Sequence, residues 1–422
     1  MRRSVLVISA EPVGVRMAGP AIRASELARA LSATCDVTVA APAPSVSELP
    51  LIEAGMADVE TLVRTAREHD VVLAQELPPT VLERIAGGPR LVIDLYNPIV
   101  VEVLEAVAHR SPRAQRRIRS AIAQRTLAAL AAADLILCAN ERQRDLWIGG
   151  LALHGLIESG DLVMEVPFGV PAEPVGAPGG LRAAYPEIAA DEKVLLWGGG
   201  LWGWLDPGTV FRAVTRMDGV HLVVMGAGRP GLERTGQAGY LEAALAEAPA
   251  NVHINRGWVP YDERGGWLAE ADLGITAHHD HLEARYAHRT RVLDYLWAGL
   301  PVVATRGDAM ADLVERERLG LTVPVGDDAA FAAACGELLA SPDATRKRVA
   351  AFAPSLRWER VAAPLAEWCA SDAPRRAIRR GVVRRATLGH YRWALPQTLA
   401  DEGVGAALRR IGRRLRRAGT LR

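Results

Sequence analysis

The 422-residue chain has no apolar run approaching the roughly 20 residues needed to cross a bilayer. Cysteine is scarce: Cys35, Cys138, Cys335 and Cys369 lie far apart with no CxxC spacing. That excludes a disulfide framework and a thiolate zinc site, and buried free thiols in a reducing compartment are expected instead. The opening MRRSVLVISA is basic and then apolar, but it lacks a long apolar region and Glu11 follows at once. It therefore reads as a first β-strand rather than a secretory leader. Net charge is almost absent at +1, yet the balance conceals an asymmetry. From Arg375 onward fourteen Arg face only Asp401 and Glu402, an excess of +12, whereas the preceding 374 residues carry 36 basic and 47 acidic side chains, or −11. The tail therefore points to an anionic partner.

Apolar material is plentiful, at half of all residues, and the length suits about two or three domains. In the first 170 residues short apolar runs alternate with amphipathic helical patterns. The predicted strands are Val5–Ser9, Val37–Ala41, Val71–Ala74, Leu91–Asp94, Leu135–Cys138 and Val163–Pro167. PFGVPAEPVGAPGG, Pro167 to Gly180, breaks the rhythm and reads as a linker. Alternation resumes with Val194–Trp197, Val220–Met225, Val252–Asn255, Leu273–Ala277 and Val302–Ala304. The pattern predicts an α/β chain with two parallel, doubly wound sheets and a ligand cleft between them.

Four stretches carry candidate chemistry. GAGRPG, Gly226 to Gly231, fits G-x-G-x-x-G but follows the second strand of its unit, so a Gly-rich turn competes with a dinucleotide site. WGGGLWGWLDP, Trp197 to Pro207, follows the first strand of the second domain, and Asp206-Pro207 has the form of a helix N-cap and first helical residue. Gly198, Gly199 and Gly200 allow close approach to a phosphate, and Trp202 and Trp204 offer faces for stacking, against the plainer reading of a turn with packed tryptophans. HHDHLEARYAH, His278 to His288, matches no fourfold metal spacing and reads as polar lining of a cleft mouth. Arg289 and Arg291 at the start of a helix suit a diphosphate, with a solvated face as the alternative.

Together these stretches resemble the retaining GT-B glycosyltransferases of family 4 over roughly residues 1–370. The family's acid-led helix ending EAMAAGLPVVAT stands here as DYLWAGLPVVAT, Asp294 to Thr305. NVHINRGWVPYDERGGWLAEADLGI precedes it, LGLTVPVGDDAAFAAACGELL and RWERVAAPLAEW follow, and GPAIRASELARALS, Gly19 to Ser32, resembles the first glycine loop and helix. The resemblance implies an acceptor-side domain over 1–170, a linker over 171–185, a nucleotide-sugar domain over 186–357, a helix returning to the first domain over 358–374, and a basic amphipathic tail over 375–422. It further implies transfer from a nucleotide sugar to a cell-surface glycan or lipid-linked acceptor, with no metal required and no nucleic-acid partner. Asp294 would take the donor ribose, Gly257 and Trp258 would face the base, and Arg289, Arg291 and Gly198–Gly200 would hold the diphosphate. Glu283 would lie near the donor sugar, Arg23 and Gly19 would approach from the first domain, and Asp94 or Asn97 would contact the acceptor.

The chain departs from that pattern in three places. The second acid is Asp294 rather than Glu, Tyr286 stands where the first acid is usual, and the glycine loop lacks its Arg and Lys. A nucleotide-sugar 2-epimerase and a non-catalytic partner subunit of the same fold are the competing readings. In the tail, Leu408, Ile411 and Leu415 recur at helical spacing among Arg409, Arg410, Arg413, Arg414, Arg416 and Arg417. This is the composition of an in-plane interfacial helix on the inner face of an anionic membrane. Packing of the tail against the acidic body is the alternative.

Overall fold

The computed structural model describes residues 2–226, 238–373 and 375–402. Short runs rich in Val, Ile and Leu, each flanked by helices, assemble into two wholly parallel sheets. The first contains β1 (Ser4–Ile8), β2 (Asp36–Ala41), β3 (Leu51–Glu53), β4 (Val71–Ala74), β5 (Arg90–Asp94), β6 (Leu135–Cys138) and β7 (Val163–Glu165), in the order β3-β2-β1-β4-β5-β6-β7. The second contains β8 (Lys193–Trp197), β9 (Val220–Val224), β10 (Val252–Ile254), β11 (Leu273–Thr276), β12 (Val302–Thr305) and β13 (Gly320–Val323), in the order β10-β9-β8-β11-β12-β13. Every residue of β4, β6, β11 and β12 is buried, as expected of strands covered on both faces.

The strand order reverses beside β1 in one sheet and beside β8 in the other. Ligands of open α/β sheets bind beyond the carboxyl ends of the strands at such a reversal. β1 leads to the helix Gly19–Ser32 and β8 leads to Gly198–Gly200, and both segments line one cleft. The fold thus gives two doubly wound domains facing a central cleft. β3 and β13 are additional to the strands anticipated from sequence. Both sit at sheet edges, and their mostly half-exposed residues give little apolar signal.

The linker is held to the second domain rather than spanning free space. Trp297 Nε1 donates to the Glu173 carbonyl at 2.8 Å, and Gly179 N donates to the Gly266 carbonyl at 3.2 Å. The chain crosses back where Val170 bridges Arg357, with Trp358 N donating to the Val170 carbonyl at 3.1 Å. Helices Trp358–Val361 and Ala363–Ala370 then pack on Gly19–Ser32. Arg90 bonds the carbonyls of Trp368 (3.3 Å) and Cys369 (2.7 Å).

The described part of the tail, residues 375–402, packs on the first domain. Arg376 is drawn in to the carbonyls of Leu130, Ala133 and Leu156, and helix Arg380–Glu402 lies along helix Pro112–Ala132. Val383 and Ala386 are buried there, and a side chain at Gly389 would meet Gln124 Oε1 at 2.5 Å, so glycine permits the close approach. The Leu408, Ile411 and Leu415 stripe, and GAGRPG beyond Gly226, lie outside the described residues.

Candidate functional site

The cleft between the domains has a volume of about 460 Å³. Its second-domain wall begins with the glycine loop. Tyr295 Oη accepts from Gly198 N at 2.7 Å and donates to the Ile275 carbonyl at 2.8 Å, pinning the loop to β11. Gly199 has φ +82°, a conformation that favours glycine. Beyond the loop, Trp202 and Trp204 stack with centroids 5.2 Å apart and planes 6° from parallel. Asp206 caps helix Pro207–Val214 through Thr209 N at 3.0 Å.

The charge missing from the glycine loop arrives from helix Thr290–Trp297. Arg291 Nη2 donates to the Gly200 carbonyl at 3.1 Å, and its guanidinium lies 4.9 Å from the Trp197 ring centroid. Burial lowers its pKa to about 10, so it stays charged at neutral pH, and its Nη1 has no hydrogen-bond partner. One helical turn on, Asp294 also lines the cleft, with Arg264 Nε 3.4 Å from its Oδ1. Burial raises the Asp294 pKa and Arg264 opposes that shift. Arg264, seated 3.6 Å over the Tyr261 ring and 4.8 Å from Trp297, was not anticipated from sequence.

Arg289 also lines the cleft, but its fork is occupied. Nη1 and Nη2 reach the two oxygens of Glu283 at 2.9 and 2.6 Å, and Nε lies 3.4 Å from Asp308. Of the two anticipated diphosphate arginines, only Arg291 therefore has a nitrogen to spare. The histidine-rich segment ties loops together: His281 Nε2 pairs with the Trp204 carbonyl at 2.9 Å, and His278 Nδ1 with the His279 carbonyl at 2.9 Å. Among the described residues, no group of three or more His, Cys, Asp or Glu is placed to hold a metal.

Gly19 and Asn97 line the cleft from the first domain, as Gly198, Gly199, Gly200, Trp202, Trp258 and Glu283 do from the second. Three anticipated contacts fall outside it. Arg23 is 0% exposed and Asp94 2%, and they form a buried bidentate pair at 2.6 and 2.9 Å. Arg23 also donates to the carbonyls of Val166 (2.9 Å) and Pro167 (3.1 Å). In this structure it is an internal strut outside the cleft lining. Gly257 N is taken by Asn255 Oδ1 at 2.9 Å, and Gly257 is not part of the lining.

Glu102 lines the cleft without any motif signal, and His288, the last residue of the histidine-rich segment, lines it as that segment was expected to. Both ring nitrogens of His288 are buried without a partner, as is Trp258 Nε1. Buried polar atoms are normally paired. Four such buried atoms, Arg291 Nη1 among them, belong to residues that line this one cleft. The domains are clasped beside it: Arg142 reaches the carbonyls of Arg285 (3.2 Å) and Gly307 (2.7 Å), and Tyr261 Oη donates to Glu26 at 3.2 Å.

Residues 204–341 match the family described as glycosyl transferases group 1. No curated protein matches the chain by sequence. Among solved structures, HepE from Anabaena in complex with UDP-glucose is similar over 87% of this chain and 99% of its own, with TM-score 0.62 at 14% identity. Sucrose-phosphate synthase from Thermosynechococcus elongatus covers 87% of this chain and 98% of its own, with TM-score 0.61 at 18% identity. WaaG, a glycosyltransferase involved in lipopolysaccharide biosynthesis, covers 88% and 100%, with TM-score 0.59 at 16% identity. The structural likenesses show the GT-B fold for the chain, and residues 204–341 within its second domain are similar to the glycosyl transferases group 1 family.

Proposed function

We propose that the protein transfers a sugar from a nucleoside-diphosphate donor to a hydroxyl of a cell-surface glycan or lipid-linked acceptor, with retention at the anomeric carbon. One observation carries the reading. A charged, half-unpartnered Arg291 beside the glycine loop and an acid, Asp294, stand three residues apart on one helix face, a spacing that offers a diphosphate site next to a ribose site. As the bond from the anomeric carbon to the diphosphate breaks, the acceptor oxygen bonds that carbon and its proton leaves with the diphosphate. Arg291 and the loop amides offset the growing negative charge, so the scheme requires no metal. Retention and the polysaccharide setting rest on the resemblance of the Asp294–Thr305 segment.

The test is thermal unfolding with a panel of nucleoside diphosphates, beginning with UDP because HepE has been solved with UDP-glucose. A ligand at 100 times its Kd adds about 2.7 kcal/mol. Asp294→Asn is expected to weaken that ligand by about 1.5–3 kcal/mol, the range for a hydrogen bond to a charged group. Absence of any shift would remove the donor reading, and an unchanged affinity in the Asn variant would remove the ribose assignment.

We further infer docking on the inner, anionic face of a membrane. No helix among the described residues is long and apolar enough to span one. Helix Arg380–Glu402 presents exposed Arg384, Arg385, Leu388 and Arg392, and Trp393 lines a surface pocket together with Arg113, Arg116 and Arg117 of the neighbouring helix. Each Arg near such a surface contributes about 1 kcal/mol. Because the buried side of the helix holds the first domain, charge reversal tests this better than truncation. Arg384→Glu, Arg385→Glu and Arg392→Glu together are expected to abolish sedimentation with anionic vesicles and leave the unfolding midpoint unchanged. Equal binding by the triple variant would exclude this face.

A further inference from the structure

The donor reading leaves two titratable groups of the cleft unused. Glu102 stands on first-domain helix Ile99–Ala106, which packs against second-domain helix Leu282–Tyr286. Its carboxyl lines the cleft with Glu283, His288 and Arg289 and has no hydrogen-bond or ion-pair partner among the described residues. The charged groups that act on it are Glu283 and Arg289. Burial, and then the Glu283 carboxylate, push Glu102 up to about 7, with Arg289 opposing. His288 faces the same space from the second domain. Burial, helped by the nearby Arg23 cation, pulls its pKa to about 3, so the ring is neutral and has one N–H to give and one nitrogen to accept.

The cations near this pair are committed elsewhere. Both terminal nitrogens of Arg289 are bound by Glu283, Arg264 is held by Asp294, and Arg291, beside the glycine loop, is the group assigned to the diphosphate. A group rich in hydroxyls suits what remains, since each hydroxyl both donates and accepts. A carboxylated sugar does not suit it, because a further negative charge would meet Glu102 and Glu283 with no spare cation to offset it. We propose that Glu102 and His288, one from each domain, bind the sugar of the donor and select one that is uncharged, a hexose rather than a hexuronate. The proposal rests on the nucleotide-sugar reading above and names the sugar class that reading leaves open.

Calorimetric titration of the full chain with UDP, UDP-glucose and UDP-glucuronate at pH 6 and pH 8 tests it. Should GDP bind instead of UDP, GDP-mannose and GDP-mannuronate serve the same comparison. The neutral sugar is expected to bind roughly 10-fold or more tighter than the acidic one at pH 8, with the gap narrowing at pH 6 as Glu102 takes up its proton. Glu102→Gln is expected to keep the affinity for the bare diphosphate, shrink the gap several-fold at pH 8 and remove its pH dependence. His288→Phe is expected to weaken the neutral sugar nucleotide roughly 10-fold while sparing the bare diphosphate. Equal affinity for the two sugar nucleotides, or a gap unchanged in Glu102→Gln, overturns the proposal while the donor reading stands. If no nucleoside diphosphate binds, the donor reading falls and the sugar site falls with it.

Discussion

Replacing Arg23 with Ala is expected to lower unfolding stability by about 3–5 kcal/mol, the range for removing one partner of a buried ion pair. The cost comes from what the substitution strands. Asp94 is 2% exposed and receives two of the Arg23 hydrogen bonds, so its carboxylate would stay buried without a counter-charge. The carbonyls of Val166 and Pro167 lose their donors as well, at the point where the chain leaves β7. The guanidinium also lies 4.8 Å from the Tyr96 ring centroid, so packing is lost with charge. Lysine is a poor substitute, because one ammonium cannot reproduce a planar fork shared by a carboxylate and two carbonyls. Urea unfolding of Arg23→Ala, Asp94→Asn and the double variant checks the pair. The double variant should cost clearly less than the two single costs added together. A loss below about 1 kcal/mol for Arg23→Ala would contradict the buried geometry.

The same residue shows what sequence conveys and where it stops. Arg23 and Asp94 were both legible as special, one in a glycine-led helix and the other ending an apolar strand. Their mutual contact, which turns two candidate ligand groups into a strut, joins positions 71 apart in the chain. The sheets were more accessible, because a strand buried on both faces writes itself as a continuous apolar run. β3 and β13 lie at edges and leave no such run. The glycine loop advertised a phosphate site without its cation, and the compensating Arg291 comes from a segment 91 residues away. Glu102 sits in IVVEVLEA with Glu105, where acids on an otherwise apolar helix read as solvent-facing residues. Only the opposing domain makes it part of a cleft. In the tail, the arginines drew the eye to an anionic partner, whereas Val383 and Ala386 at spacing three record the helix that packs on the body.

Arg291→Ala is expected to lower kcat by roughly 10²–10³-fold, about 2.7–4 kcal/mol, the effect of losing a preorganised group aimed at developing charge. Its surroundings explain why the loss should fall on the reaction and not on the fold. The guanidinium is buried against Trp197, makes one hydrogen bond to Gly200 and leaves Nη1 without a partner. A buried cation held this loosely contributes little to stability, and removing it is expected to leave the unfolding midpoint unchanged or raised. Arg289 provides the contrast. Arg289→Ala strands Glu283, which is 3% exposed, and should cost about 3–5 kcal/mol of stability. Arg291→Lys separates charge from shape: if it recovers only part of the rate, the planar fork matters as well as the cation. The assay is release of nucleoside diphosphate from the donor, read beside thermal unfolding of each variant. Rates within twofold of wild type for Arg291→Ala would leave the growing charge on the diphosphate to the loop amides alone.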